Sequence, residues 1–142
     1  MSDRDPSDSE DEKRRRPSIL VCDDEVGPRE ALRILLKDHY EVHLACDGME
    51  AVEQCESLLP DLIIMDIRMR RLDGLEAIRR IRALSTTVPI IVMTGFPDLK
   101  ETAEAKDLGV LECLAKPFDL LHLKRLVEES VRERVDIRNT TS

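Results

Sequence analysis

The chain has 142 residues, a length typical of one domain, and a hydrophobic content of 42% that is sufficient for a buried core. Its formal net charge of −8 argues against a large basic surface for nucleic acid and fits basic partners or cations. No apolar run approaches the roughly 18 residues of a membrane span and no secretory signal is visible, so we expect a cytoplasmic protein with no membrane contact.

Both ends of the chain are polar and highly charged. Residues 1–17, MSDRDPSDSEDEKRRRP, contain almost nothing that can pack, which predicts a disordered charged tail. The basic run KRRR is only a weak candidate for binding nucleic acid or a membrane surface, because the neighbouring acidic DSEDE cancels most of its field. Residues 136–142 are predicted to be a frayed C-terminal tail. The folded domain is therefore expected over residues 18–135.

Between these tails, short apolar runs alternate with stretches of helical spacing. The predicted elements are, in chain order, strand 18–22, helix 27–39, strand 40–45, helix 48–59, strand 62–66, helix 73–84, strand 89–94, helix 98–109, strand 110–115 and helix 118–135. Five rounds of strand then helix predict an α/β fold with a parallel sheet covered on both faces. The alternating strand YEVHLA (40–45) suits an edge, whereas three nearly wholly apolar strands suit the centre.

The four cysteines show neither the CxxC spacing of zinc sites nor a dense disulfide framework. We interpret them as reduced thiols that behave as small buried hydrophobic side chains; they are Cys22, Cys46, Cys55 and Cys113.

Polar side chains stand where four of the five predicted strands end. They are Asp23 and Asp24 after the first strand, Asp66 in the third, Thr94 in the fourth and Lys116 after the fifth. Right-handed crossovers bring these ends to one edge of the sheet, where ligands of open α/β sheets bind. Three close carboxylates repel one another and need a cation. Oxygen ligands without His or Cys favour Mg²⁺ over Zn²⁺, and the hydroxyl and ammonium suit a phosphoryl group.

Each of these residues also has an ordinary structural explanation. Asp23 or Asp24 can cap the following helix, Asp66 and Thr94 can belong to turns, and Lys116 can be a surface lysine. Their joint occurrence at four strand ends favours a single site.

Four motifs, ILVCDDE, DLIIMDIRMRRLDGLEAIRRIR, PIIVMTG and AKPF, together resemble the receiver domain of two-component response regulators over about residues 18–135. The resemblance implies a flavodoxin-like (βα)5 three-layer sandwich with a parallel five-stranded sheet of order 2-1-3-4-5. It also implies that Asp66 accepts a phosphoryl group from a phosphohistidine on a sensor histidine kinase or a phosphotransfer protein.

The resemblance further implies a set of Mg²⁺ ligands. Asp24 and Asp66 are expected to bind the ion directly and Asp23 to act largely through a metal-bound water. The backbone carbonyl of Arg68 is expected to supply another ligand, which any residue type can do.

Other residues are expected, from the same resemblance, to contact the phosphoryl group. Lys116 would pair with its oxygens, and Thr94 would hydrogen-bond one of them. Gly95 would leave room for the group and offer its N–H. Pro117 would follow a cis peptide bond, a geometry that only proline makes accessible at low cost.

Phosphoryl transfer requires in-line placement and neutralised charge, and an ionised Asp66 is already nucleophilic without a general base. We therefore expect a phosphoacceptor that catalyses its own phosphorylation and slow dephosphorylation, not an enzyme acting on other substrates. After transfer, Thr94 is expected to move inward with its loop and to repack the helix near residues 98–107 and the fifth strand. The signal would be read on the surface of the fourth helix, fifth strand and fifth helix.

Two features qualify this interpretation. Most receivers carry Tyr or Phe in the middle of the fifth strand, and the alignment of LECLAKPF places Cys113 there, which predicts weakened coupling to Thr94. Arg68 and Phe96 lie two residues beyond Asp66 and Thr94, and their bulk predicts slow hydrolysis of the acyl phosphate. Phe96 can instead simply pack against the neighbouring loop.

Other interpretations of the sequence differ in the chemistry of the site or in the context of the chain. A haloacid-dehalogenase-type phosphatase needs a second Asp two residues after the first, where this chain has Arg68, and a nucleotide-binding protein needs a glycine-rich loop that is missing. A metal-independent pseudo-receiver would lack acidic or lysine residues that are present here. The chain can also be the N-terminal receiver of a longer DNA-binding transcriptional regulator, or act alone on a downstream protein target. Nucleic acid is expected as a partner only if an output domain exists, and a homodimer is possible.

Overall fold

The computed structural model describes residues 16–140, with side chains up to residue 137. The strands are β1 (Ser18–Cys22), β2 (Glu41–Ala45), β3 (Leu62–Asp66), β4 (Ile90–Thr94) and β5 (Glu112–Ala115). The helices are α1 (Val26–Leu36), α2 (Gly48–Leu58), α3 (Gly74–Leu84), α4 (Leu99–Asp107) and α5 (Leu120–Thr140). All strand pairs are parallel and their order is β2-β1-β3-β4-β5, which confirms the predicted flavodoxin-like fold.

Two apolar layers hold the helices to the sheet. Alternate residues of a strand point to opposite faces, so Ile63 packs with α2 and α3, whereas its neighbour Ile64 packs with α1 and α5. Every residue of β3 and β4 is buried, as their continuous apolar sequences predict, whereas β2 at the edge is mostly only partly buried. The central strands are therefore enclosed on both faces of the sheet.

The register of the strands places their C-terminal ends side by side. Cys22 of β1 pairs with Met65 of β3, Asp66 pairs with Met93 of β4, and Thr94 pairs with Ala115 of β5. The residues that end or follow these strands consequently meet at one edge of the sheet.

The ends of several elements differ from the sequence prediction. The first helix stops at Leu36, three residues early, because residues 37–39 form a turn into β2. The last helix continues to Thr140 instead of ending at residue 135, since no Pro or Gly interrupts the chain after Pro117. The helix thus enters the predicted frayed tail, whose residues 141 and 142 lie outside the described residues.

Most of the predicted N-terminal tail, residues 1–15 of 1–17, also lies outside the described residues. Pro17 is already part of the domain, because its carbonyl accepts a hydrogen bond from the Glu41 N–H at 2.9 Å. None of the helices in the described part of the chain combines the length and the hydropathy that a membrane span needs.

The cysteines are unpaired, and they differ in their environments. Cys22 and Cys55 are buried, and Cys113 is partly buried. Burial raises the pKa of the Cys22 thiol well above its usual range and that of Cys55 to about 12. The prediction of buried side chains was wrong for Cys46, which is exposed in the loop after β2.

Candidate functional site

Three carboxylates meet at the C-terminal edge of the sheet. Asp23, Asp24 and Asp66 each offer an oxygen, and these atoms lie within 4.8 Å of one another. Asp23 is completely buried and Asp66 is 4% exposed, whereas Asp24 is partly exposed. The register explains the cluster, since β1 and β3 are adjacent and end at the same level. Buried carboxylates at this spacing require compensating positive charge.

Lys116 provides part of that charge. Its Nζ lies 2.8 Å from Asp66 Oδ2 and 3.1 Å from Asp23 Oδ2. Burial alone lowers the pKa of Lys116, but its hydrogen bonds to Asp66 and Asp23 and their charges outweigh burial and raise it. One ammonium against three carboxylates leaves an excess of two negative charges. The cluster therefore attracts a further cation.

Backbone donors fix the orientation of two of the carboxylates. Asp66 Oδ1 accepts a hydrogen bond from the Arg68 N–H at 3.0 Å, and Asp23 Oδ1 accepts one from the Glu25 N–H at 2.9 Å. In both residues the other oxygen, Oδ2, faces Lys116. Arg29, which sequence reasoning missed, donates from Nη1 to the Asp23 carbonyl at 2.7 Å. The site is thus held by contacts that leave carboxylate lone pairs free for a ligand.

Thr94 lies at the end of β4, next to this cluster in the sheet, and its side chain is bonded to its own loop. Its Oγ1 donates to the Phe96 carbonyl at 3.0 Å and accepts from the Phe96 N–H at 3.1 Å. A group on Asp66 must therefore compete with these two bonds to engage the hydroxyl. A Cβ added at Gly95 would meet no atom within 4 Å, so crowding by the protein itself does not require glycine there.

The fifth strand aims Lys116 into the site. The Lys116 N–H donates to the Thr94 carbonyl at 2.7 Å, which continues the β4–β5 pairing by one residue. The peptide bond between Lys116 and Pro117 is cis, as expected from the sequence. Cys113, two residues before the end of β5, packs against the core cluster on the α2 and α3 face.

Gly74 is a positional requirement that sequence reasoning did not recognise. A Cβ at this residue would lie 2.4 Å from the Asp66 carbonyl oxygen and 2.6 Å from the Ile67 Cα. The start of α3 thus approaches the end of β3 more closely than any residue with a side chain permits. The Asp-Gly pair in RRLDG was the available signal for a tight turn.

The cluster fits a hard divalent cation. All its donors are oxygens, and within the described residues no His or Cys joins the three carboxylates. No structural contact assigns the Arg68 carbonyl to the same ligand set, so its role stays a prediction. Arg70 Nε lies 3.8 Å from Asp24 Oδ2, but the Arg70 side chain is 86% exposed and neutralises little of the cluster's charge.

The amino-acid sequence is similar to those of known signalling proteins. The family model described as response regulator receiver domain matches residues 19–128. Response regulator MprA of Mycobacterium avium is 42% identical over 106 residues, which cover 74% of this chain and 46% of that protein. Transcriptional regulatory protein ZraR of Escherichia coli is 34% identical over 114 residues, 80% of this chain and 26% of that protein. The chain thus spans from about a quarter to about half of the length of these relatives.

Solved structures show the same fold. Chemotaxis protein CheY4 of Vibrio cholerae is 29% identical with a TM-score of 0.75, over 81% of this chain and 98% of that chain. A CheY-like response regulator receiver domain of Methanospirillum hungatei superimposes with a TM-score of 0.81 at 22% identity, over 85% of this chain and 98% of that chain. The second likeness concerns the fold alone.

Proposed function

Because the chain belongs to the family of response regulator receiver domains, the phosphoacceptor switches of two-component signalling, we propose that Asp66 is the residue that accepts the phosphoryl group. The observation that carries this assignment is the position of Asp66. Among the described residues, it is the carboxylate that ends a central strand, contacts Lys116 at 2.8 Å and shares the oxygen cluster with Asp23 and Asp24.

Receiver domains of this family generally bind Mg²⁺, and the donor set fits that ion. We propose that Asp23, Asp24, Asp66 and the carbonyl of Arg68 hold it, with Asp23 acting through water. When bound, the ion neutralises charge on the phosphoryl oxygens and on the carboxylates around them. The three carboxylates carry two more negative charges than the single ammonium of Lys116 neutralises, which supports this assignment.

The residues of the chain then divide the work of transfer. An ionised Asp66 oxygen attacks phosphorus, the P–O bond forms, and the P–N bond of the donor phosphohistidine breaks with its electron pair going to the imidazole. Lys116 pairs with the phosphoryl oxygens, and the buried surroundings exclude competing water. An ionised Asp66 needs no general base. The domain promotes its own phosphorylation and does not act on other substrates. A sensor histidine kinase or a phosphotransfer protein is the proposed donor.

The phosphorylated state differs from the resting state in charge and in hydrogen bonding. The product adds close to one negative charge and strong acceptor oxygens beside Lys116. Thr94 then gives up its two bonds to Phe96 for a bond to the phosphoryl group, and its loop follows. We propose that the change is read on the surface formed by α4, β5 and α5. A homodimer through that surface remains a prediction.

A mass measurement tests the assignment of Asp66. The protein is incubated with acetyl phosphate, with and without Mg²⁺, and its intact mass is recorded beside those of Asp66→Asn and of Asp107→Asn, an exposed aspartate used as a matched control. We expect a Mg²⁺-dependent gain of one phosphoryl group in the wild type and in Asp107→Asn, and none in Asp66→Asn. A gain that survives in Asp66→Asn refutes the assignment.

The length of the relatives bears on where the signal goes after phosphorylation. ZraR and MprA are much longer than the region they share with this chain, so we infer that the signal passes to an output partner, a DNA-binding domain or a separate protein target. Sedimentation with candidate output proteins, with and without phosphorylation, tests this.

A phosphatase function lacks support, since the position of the second acid that such an enzyme needs holds Arg68, whose guanidinium contacts Glu101.

A further inference from the structure

Helix α4 has little apolar attachment to the domain. Ala105 is its single buried residue, and Leu99 in its first turn is 91% exposed. Contacts with arginines of the β3–α3 loop and of α3 replace the missing apolar packing. They run from the first turn of the helix to just beyond its end and comprise Arg68 with Glu101, Arg79 with Glu104, and Arg82 with the carbonyls of Leu108 and Gly109. The position of α4 therefore depends on polar contacts.

The first of these contacts begins beside the acidic site. The N–H of Arg68 donates to Asp66 Oδ1 at 3.0 Å, so the Arg68 side chain starts next to the proposed phosphoacceptor. Its Nη2 lies 3.3 Å from Glu101 Oε1, and its guanidinium carbon lies 5.6 Å from the centre of the Phe96 ring. We name this set of three side chains, Arg68, Phe96 and Glu101, the Arg68 clamp.

Arg68 is the cation that contacts the negatively charged carboxylate of Glu101. Its Oε2 is buried without a hydrogen-bond partner in the described part of the chain, so the second oxygen of this carboxylate gains nothing from another donor. If Arg68 turns away, the Glu101 carboxylate loses the cation that it contacts and its buried Oε2 gains no new donor, which favours a displaced first turn of α4.

Resting on the proposed function, we propose that Arg68 is shared between two anions and thereby couples the site to α4. In the resting state it holds Glu101. In the phosphorylated state the phosphoryl oxygens carried by Asp66 compete with Glu101 for the guanidinium. The planar guanidinium can donate two parallel hydrogen bonds to a phosphoryl group, whereas it contacts Glu101 through one oxygen only. Arg68 is then a positioning residue for the phosphoryl group, and release of Glu101 frees the first turn of α4. This route requires no aromatic side chain at Cys113.

Two variants that break the same ion pair are expected to change the affinity for a phosphoryl mimic in opposite directions. Arg68→Gln removes a cation from the phosphoryl site and is expected to weaken binding of a phosphoryl mimic. Glu101→Gln releases Arg68 toward the site and is expected to tighten it. An exposed ion pair shifts an equilibrium by about fivefold at most, so each change should be roughly threefold to fivefold in opposite directions. In the double variant, the gain from Glu101→Gln should disappear.

Beryllofluoride with Mg²⁺ serves as the phosphoryl mimic, and its affinity is measured by ¹⁹F nuclear magnetic resonance titration. Hydrogen exchange of the amides of residues 99–107 is recorded with and without the mimic. In the wild type we expect faster exchange in the first turn of α4 when the mimic is bound. In Arg68→Gln and Glu101→Gln that exchange should already be fast without it.

Glu104→Gln is the matched control, since Glu104 pairs with Arg79 at 3.1 Å on the same helix, farther along the chain from the Phe96 loop. It should loosen α4 and leave beryllofluoride affinity unchanged. Equal tightening by Glu104→Gln and Glu101→Gln, or a shift of both clamp variants in one direction, overturns the proposal. Failure of the wild type both to gain phosphate mass and to bind beryllofluoride refutes the proposed function itself, whereas normal phosphorylation with unchanged affinities refutes only the clamp.

Discussion

Replacing Lys116 by methionine removes the ammonium that contacts Asp23 and Asp66 and keeps most of the side-chain volume. Breaking a buried charge pair costs about 3–5 kcal/mol, because the remaining charge stays desolvated. The Lys116 side chain is 22% exposed, so water replaces part of the lost interaction and we reduce the figure to about 2–3 kcal/mol. For a domain of this size that loss lowers the melting temperature by roughly 5–10 °C.

Bound Mg²⁺ should reverse much of this loss. Without the ammonium, three carboxylates face the ion with their repulsion uncompensated, so Lys116→Met should bind Mg²⁺ more tightly than the wild type. A ligand stabilises the folded state by RT ln(1 + [L]/Kd), so tighter binding should give the variant a larger gain in melting temperature from Mg²⁺ than the wild type.

Thermal unfolding in excess chelator and in Mg²⁺ measures both effects, and Lys100→Met, at an exposed lysine of α4, controls for the loss of one positive charge. The pKa of Lys116 is raised above its ordinary value of 10.5, so its stabilisation is complete below that pH and is lost as the pH rises through the raised pKa. Measurements at neutral pH therefore detect the whole effect. Equal melting temperatures of wild type and Lys116→Met in chelator, or equal gains from Mg²⁺, would show that the ammonium does not stabilise the acidic cluster.

Three further substitutions test other parts of the site. Cys113→Ala should leave the rate of phosphorylation by acetyl phosphate nearly unchanged, because Cys113 packs on the core side of β5; a large loss in a mass time course would contradict this. Phe96→Ala should accelerate loss of the phosphoryl group severalfold, since it removes the ring over which Arg68 lies, and an unaltered decay rate would dismiss the steric argument. Gly74→Ala should lower stability by about 1–3 kcal/mol in denaturant unfolding, because its Cβ would lie 2.4 Å from the Asp66 carbonyl oxygen. Gly27→Ala, where a Cβ meets no atom within 4 Å, should show no such loss from crowding.

The middle of β5 shows how a local departure from a family pattern changes the expected mechanism. A thiol at Cys113 fills the space on the core face but cannot turn inward as a ring does. Burial raises the pKa of the Cys113 thiol, so it stays neutral and contributes no charge to the switch. The proposed coupling between the site and α4 therefore rests on the contact between Arg68 and Glu101.

The sequence alone determined the type and order of the elements, since the apolar runs and helical spacings that specify them are local. It also identified the residues that end the strands, from Asp23 to Lys116, because parallel strands joined by right-handed crossovers must end at one edge. The end of the last helix was less well predicted, since helix ends depend on the absence of interruption as much as on a positive signal.

Tertiary structure decided what these residues contact. The ion pair of Arg68 with Glu101 joins positions 33 residues apart, and no periodicity or motif relates them. The same holds for Lys116, whose distances to Asp23 and Asp66 depend on the register of four strands, and for Cys46, whose exposure depends on the path of one loop. Local sequence fixes which groups are available, whereas distance and burial, which set the strength of a charge interaction, arise only when remote segments pack together.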